Sequence, residues 1–372
     1  MAAPSPKNQV TTLQASINAL LALIKQPSSV TSSSSSNPPS VDLIRSDLVA
    51  LIALLSKEVT ALCLALKPPA SQDAVSQTLV KVNDLAGKVK FAFEELGGRQ
   101  SVLAKRLVWT VTEALESLAT FLGACVPLLP PCPPQTGAVA KKLRDTLLSS
   151  AKVFWGIAEQ AGTLPQSELE AVRASWKGSL ELMDDALGEV KDLSETLAAA
   201  ALSHGGEEAE DEEEEDDVDD DDFTSKPLSE REQSRASTVY TLLRLSRLLL
   251  HRLLLITGPS SPCPSLAAAL STAAFLSAAH TLSQRLSSVF DDVCASLEGP
   301  QDPEEVEEGV EEVESVDEEL GKALEAAIEH GEGVKEEERA KQRGWMEVWR
   351  KSRSGARDKF DAIEDDAEEA EE

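Results

Sequence analysis

Apolar residues recur three and four apart along most of this chain, the period of a helix that buries one side. The pattern predicts a first helix over Asn8–Lys25, with Leu13, Ile17, Leu20 and Ile24 in line and Pro27 ending it. The serine-rich stretch Ser28–Pro39 reads as a tether. Ser40 can N-cap the next helix, which carries Val41, Ile44, Leu48, Leu51, Leu55, Val59, Leu62 and Leu66. Leu43, Ile52, Leu54 and Leu64 widen its stripe, which predicts a central place in its bundle. Further helices are predicted over Ser71–Leu96, Arg99–Cys125, Gln135–Ala161 and Ser167–Ala201. Gly97-Gly98, the proline-rich Pro127–Pro134 and the turn Gly162–Pro165 separate them, and Ser167 with Glu170 reads as a capping box.

Ser229 with Glu232 makes a second capping box and opens a helix that runs to Thr257, before Gly258-Pro259. Nearly every position there is Leu, and Arg244, Arg247 and His251 fall on one narrow polar stripe. A single Ala-rich helix is predicted over Pro264–Leu297. Asp302-Pro303-Glu304-Glu305 then supplies an N-cap, a proline at the first helical position and acids facing the dipole. The helix it starts carries a thin apolar line through Val306, Val310, Val313, Leu320 and Leu324. From Gly331 the chain is charged and poorly periodic, apart from a cluster of Trp345, Val348 and Trp349. No stretch has the period-two alternation of a strand.

The expected fold is all-α, with two helical bundles joined by an acidic linker. Residues 1–39 are a largely disordered tail holding one short helix, and 40–203 an N-terminal bundle. Residues 204–228 are a disordered acidic linker, 229–330 a C-terminal bundle and 331–372 a charged tail. Charge supports this division. Of the net −30, residues 1–204 carry −1, 205–223 carry −14, 224–300 carry +2 and 301–372 carry −17. Fourteen carboxylates and no base lie between Glu207 and Asp222. Such a block repels itself and stays solvated. Near-neutral bundles lack the concentrated basic face that direct nucleic-acid binding needs, while the acidic run could attract basic proteins.

Sites for chemistry are missing from the pattern. There is no GxGxxG, Walker, HExxH or GxSxG motif, and no cofactor or metal site is expected. The histidines lack Cys or carboxylate partners at ligand spacing, and the five cysteines lack a CxxC. Asp184-Asp185 and Asp291-Asp292 are sequence neighbours, which a helix points about a hundred degrees apart, so they share no proton. No cleavable leader is visible, so reduced thiols in cytoplasm or nucleus are expected. Arg244, Arg247 and Arg252 interrupt the apolar stretch Val239–Ile256, and Leu266–Leu282 is short, so neither reads as a membrane span. Leucines seven apart (Leu48, Leu55, Leu62; Leu242, Leu249 with Ile256) sit on helices too apolar all round for a lone zipper and read as bundle core.

Several short motifs resemble the Grap2-and-cyclin-D-interacting family across residues 40–330. They are Val153-Phe154-Trp155, the Leu164-Pro165 turn, Leu180-Glu181-Leu182-Met183-Asp184-Asp185-Ala186, the acidic insert, the Leu/Arg-rich Val239–Ile256, and Val289-Phe290-Asp291-Asp292-Val293. The resemblance implies an all-helical, non-enzymatic protein that binds cyclin-D-type and helix-loop-helix partners. It also implies movement between cytoplasm and nucleus and a negative effect on cell-cycle progression or transcription. A leucine-rich helix exchanged between its own bundle and a partner groove would serve that role. The helix next to the acidic run is the expected partner-binding element, through Leu242, Leu245, Leu249, Ile256, Arg244 and Arg247. The alternatives are an acidic chaperone of histones or other basic proteins, and a vinculin-like cytoskeletal linker.

Overall fold

The computed structural model describes residues 5–25, 40–96, 99–130, 137–203 and 228–371, without the side chains of 192–203 and of 365–371. Eleven α-helices and no strand occur among them. The acidic run and the serine-rich tether lie outside the described residues. The chain divides into two compact units, Met1–Ala171 and Val172–Glu372.

The first unit is a closed ring of five helices. α1 (Pro6–Lys25) lies against α3 (Gln72–Glu95) and α4 (Val102–Cys125). α2 (Val41–Ala65) lies against α3 and α5 (Gly137–Gly162), and α4 meets α5 to close the ring. Each helix sends one line of side chains inward. On α2 these are Ile44, Leu48, Ile52, Leu55, Val59 and Leu62, and on α4 they include Leu103, Leu107, Val111, Leu115, Leu118 and Leu122. The starts follow from hydroxyl caps: Ser40, Ser71 and Ser101 each accept the backbone N–H three residues on. The turn after α5 is pinned on two sides. The Leu164 carbonyl accepts Nη2 of Arg45 at 2.6 Å, and the Glu168 carboxylate accepts the first free N–H groups of α4, from Val102 at 2.8 Å and Leu103 at 3.0 Å.

The second unit holds most of α6 (Glu168–Ser203) with α7 (Glu230–Ile256), α8 (Pro264–Leu270), α9 (Ala273–Ser296), α10 (Pro303–His330) and α11 (Glu336–Glu371). α10 is its hub, in contact with α7, α8, α9 and α11. The capping box of Ser229 and Glu232 forms, and Asp302 caps α10 ahead of Pro303. Three expectations change. The division between units falls at the first turn of α6 rather than at the acidic run. The side chains of α6 explain this: Asp184 pairs with Arg247 of α7, and Ser179 accepts Nε2 of Gln284 of α9 at 3.1 Å. The single helix expected over Pro264–Leu297 is two helices bent by 81°, because the Thr272 hydroxyl caps a new start by accepting the Phe275 N–H.

The third change is the largest: the charged tail is a helix packed along α7 and α10. Gly331 makes the turn tight, since a Cβ there would lie 2.4 Å from the Ala327 carbonyl and 2.8 Å from Ala269, and Gly333 adopts φ +74°. Arg339 then clamps the turn by donating to the Gly331 and Val334 carbonyls at 3.0 and 3.2 Å. The inward line of α11 is Glu338, Gln342, Met346, Trp349, Arg353, Ala356 and Phe360, all buried. Its spacing is helical, but three members are polar, and that hid the period from an apolar count.

Where helices cross, glycines set the distance. A Cβ on Gly309 of α10 would lie 2.6 Å from Cγ2 of Val293 on α9, whose β-branched side chain has little freedom to turn away. Gly188 on α6 has nothing within 4 Å. Gly309→Ala should therefore destabilise the chain by about 1–3 kcal/mol despite its better helix propensity, whereas Gly188→Ala should stabilise it by about 0.5–1 kcal/mol. Urea denaturation of both variants checks the opposite signs.

Candidate protein-interaction surface

The residues expected to bind a partner do not form one surface. Leu242, Leu249 and Ile256 are buried in the core of the second unit. Leu245 is half-buried, and its carbonyl accepts the Trp349 indole N–H at 2.8 Å. Arg247 is engaged by Asp184, with Nη2–Oδ2 at 2.8 Å. Only Arg244 is exposed, 5.6 Å over the Tyr240 ring. A leucine-rich helix with α10 and α11 beside it is core, so α7 in this structure offers no docking face built from those leucines.

What joins α7 to α10 and α11 is a polar seam in three stations. Arg235, 2% exposed, donates to Glu364 through Nε at 2.6 Å and Nη2 at 2.9 Å, and to Gln301 at 3.1 Å. At mid-length, Asp317 of α10 is fully buried, accepts the Ser246 hydroxyl at 2.5 Å and sits 3.2 Å from Nε of Arg353. At the far end, Arg252 donates twice to Oε1 of Gln342, whose Nε2 lies 3.0 Å from Cys263 Sγ. Such contacts are worth little unless every partner is in place, so they fix the register of α11 more than they add stability.

Burial pushes the Asp317 carboxyl up to about 6, although the Arg353 charge and the Ser246 hydroxyl pull it down. The folded chain therefore holds this proton more tightly than the unfolded chain does. The resulting stability is complete below the ordinary aspartate range near 3.8 and is lost as pH rises through about 6. Asp317→Asn should flatten that fall, which is on the order of 3 kcal/mol at 1.36 kcal/mol per pKa unit. Urea midpoints compared between pH 4 and pH 7 for both forms measure it.

Thiols offer no reactive centre among the described residues. Cys63, Cys125, Cys263 and Cys294 are free, and Cys132 lies outside the description. Burial pushes Cys63 up to about 11 and Cys294 up to about 12, and raises Cys125, with the neighbouring Cys63 adding to it. Thiolates of these three cysteines are therefore scarce near neutral pH. No group of three or more His, Cys, Asp or Glu residues comes together as a metal site among the described residues.

The exposed apolar side chains concentrate in the five-helix ring. Leu43, Leu54 and Leu64, expected to be enclosed, point outward from α2, with Leu43 and Leu64 more than half exposed. Only Ile52 of the four widening residues is core. The reason is geometric: α2 is flanked by α3 and α5, which cover its inner side alone. Phe91 of α3 is 66% exposed and Trp109 of α4 is 62% exposed. Between α2 and α3 runs an open groove of about 620 Å³ lined by Asp47, Ala50, Leu51, Asn83, Gly87 and Phe91. Gly87 has nothing within 4 Å of where its Cβ would be, so the floor of the groove stays clear. Asp84 and Lys88 pair at 2.8 Å on its rim.

By length and composition alone, α2 and the stretch Val102–Leu128 are apolar enough to cross a membrane, which the sequence reading overlooked in weighing only the two later segments. In the structure both are members of the ring and bury one side each.

The motifs that carry the family resemblance mix packing residues with outward ones, Val153 and Leu182 being more than half exposed. Phe154, Leu180, Met183, Ala186, Val289, Phe290 and Val293 are buried, and Leu164-Pro165 is the turn that ties α5 to α2. Residues 47–196 match the family model described as Grap2 and cyclin-D-interacting, N-terminal. The match runs from α2 into α6 and includes the groove, while α7 to α11 lie outside it. No curated protein matches the chain.

Proposed function

We propose, for a chain whose residues 47–196 match the Grap2 and cyclin-D-interacting N-terminal model, that it is a non-enzymatic helical interaction protein. Its five-helix unit binds a helical segment of a cyclin-D-type or helix-loop-helix partner in the groove between α2 and α3. The observation that carries this reading is that the family-matched stretch turns Leu54 and Phe91 outward, Phe91 at the groove itself, while its core is already filled. Large apolar side chains beside an open groove are what an amphipathic helix needs in order to dock. An aromatic residue such as Phe91 is the usual kind of anchor.

Binding through α7 would first require lifting α10 and α11 off its leucines and breaking all three polar stations. That makes the α2–α3 groove the better docking surface. The resemblance further supports sequestration of such partners, a restraining effect on cell-cycle progression or transcription, and residence in both cytoplasm and nucleus.

Phe91→Asp tests the groove. Exposed as it is, this position should tolerate the change within about 0.5 kcal/mol of stability. Capture of a purified D-type cyclin should fall at least about tenfold, the loss expected when a hot-spot ring is removed. Titration calorimetry with helix content checked by circular dichroism reads both quantities, and unchanged affinity in a folded variant rules the groove out.

A further inference from the structure

The uncovered side of α2 has an order of its own. Leu43, Asp47, Ala50, Leu54, Lys57, Ala61 and Leu64 follow one another at spacings of four and three residues. All are exposed except Ala61, which is half-buried. Ser46, Ala53 and Thr60 flank the line on one side, and the half-buried Leu51 and Glu58 on the other, where α3 lies. An ordinary solvent face at these positions would be charged. This one has a leucine at each end and one in the middle, small residues between them, one acid and one base.

We propose that this line is a self-association surface, through which two copies of the chain pair α2 against α2, antiparallel, about a two-fold axis at Leu54. Such pairing is isologous, so residue i meets j and j meets i. With Leu54 on the axis, Leu43 of each copy meets Leu64 of the other. Asp47 enters the hole on the facing helix that Lys57, Ala61 and Leu64 surround. The two-fold axis repeats the Asp47–Lys57 approach, giving two unlike charge pairs, while Glu58 at the edge of the face is already paired with Lys81 of its own chain at 3.9 Å. Ala50 and Ala61 let the helices come close.

Charge selects both the occupant and its direction. A parallel pair would set Asp47 over Asp47 and Lys57 over Lys57, which is repulsive twice. Hydrocarbon in place of a second copy would bury Asp47 and Lys57 unpaired at the middle of the face. The pairing goes beyond the partner reading and stands without it, although Asp47 and Ala50 of the line also form one wall of the groove.

Sedimentation equilibrium of the full chain over roughly 1 to 100 µM tests the pairing. The expected result is a rise from one chain mass toward two. Leu54→Glu places like charges on the axis and should weaken association at least about tenfold. Circular dichroism confirms that this variant still folds. Lys57→Asp should weaken it too, and adding Asp47→Lys to the same chain should restore it. Direction is read by cross-linking. Under mild oxidation a Leu43→Cys chain mixed with a Leu64→Cys chain should form the mixed disulfide, above a wild-type control that keeps the native thiols. A Leu43→Cys chain that links to itself instead means parallel pairing and overturns the proposal. So does a wild-type chain that stays monomeric throughout, whether or not it sediments with phosphatidylcholine–phosphatidylserine vesicles. Phe91 lies on α3, off the line, so loss of cyclin capture in Phe91→Asp and loss of self-association are read independently.

Discussion

In a ring of five helices each member meets two neighbours along the circle, and its inner side faces the shared core. A helix so placed can hide only about half of its circumference. α2 spends that half on Ile44, Leu48, Ile52, Leu55, Val59 and Leu62. Its remaining leucines have nowhere to go inside the ring. A fully exposed Leu forgoes about 1.5–3 kcal/mol of burial, and Leu43, Leu54 and Leu64 are each about half exposed. A few kcal/mol of apolar burial therefore remain on offer to whatever covers this side. Two paired copies contribute this burial twice, against an association cost of about 4–15 kcal/mol in lost freedom, so a cover built from these leucines alone is weak and reversible. Lasting capture needs the added area of Phe91 and the groove beside it.

The second unit meets the same limit differently. α7 is as rich in leucine as α2, but α10 and α11 lie against it, and its buried leucines are core. The cost is a set of charges taken out of water with α11. Arg235 and Asp317 are almost wholly buried, and each is matched across helices, Arg235 by Glu364 and Asp317 by Arg353. Removing one partner of such a pair typically costs about 3–5 kcal/mol, because the other is left charged and dry. Sliding α11 by one turn would break all three stations together. The seam thus selects one register for a helix whose apolar residues, Met346, Trp349, Ala356 and Phe360, are too few to select it alone.

These two units show why some of the structure could be read from the chain and some could not. Hydroxyl caps and proline stops are local, so the starts at Ser40, Ser71, Ser229 and Asp302 were legible, as was the all-helical class. Burial is not local. Leu43 and Leu48 look alike in sequence, and only the positions of α3 and α5 make one surface and the other core. The helical period of α11 was present throughout, but Glu338, Gln342 and Arg353 occupy inward places where an apolar count expects hydrocarbon. Gly331 and Gly333 were the available signal that the chain turns back there. The proposed docking groove was not legible for the same reason: leucine content pointed to α7, and nothing along the chain says which leucine-rich helix will find neighbours.

The family resemblance bears on this in a particular way. The packing residues of its motifs sit at Phe154, Leu180, Met183 and Phe290, inside the two units, and at the Leu164-Pro165 turn that ties α5 to α2. Residues of that kind preserve the shape of a scaffold and leave its outside free to change. The matched stretch identifies the scaffold, and the outward side chains of this chain decide what meets it. Those side chains are a line on α2 whose three leucines stand almost evenly about Leu54, and a ring at Phe91 beside an open floor at Gly87. The line is suited to a copy of itself and the groove to a foreign helix. Because Asp47 and Ala50 belong both to the line and to the groove wall, a second copy seated on α2 would crowd the groove. If both proposals hold, self-pairing and partner capture draw on one helix, and the concentration of the chain itself becomes a control on how much of it is free to bind.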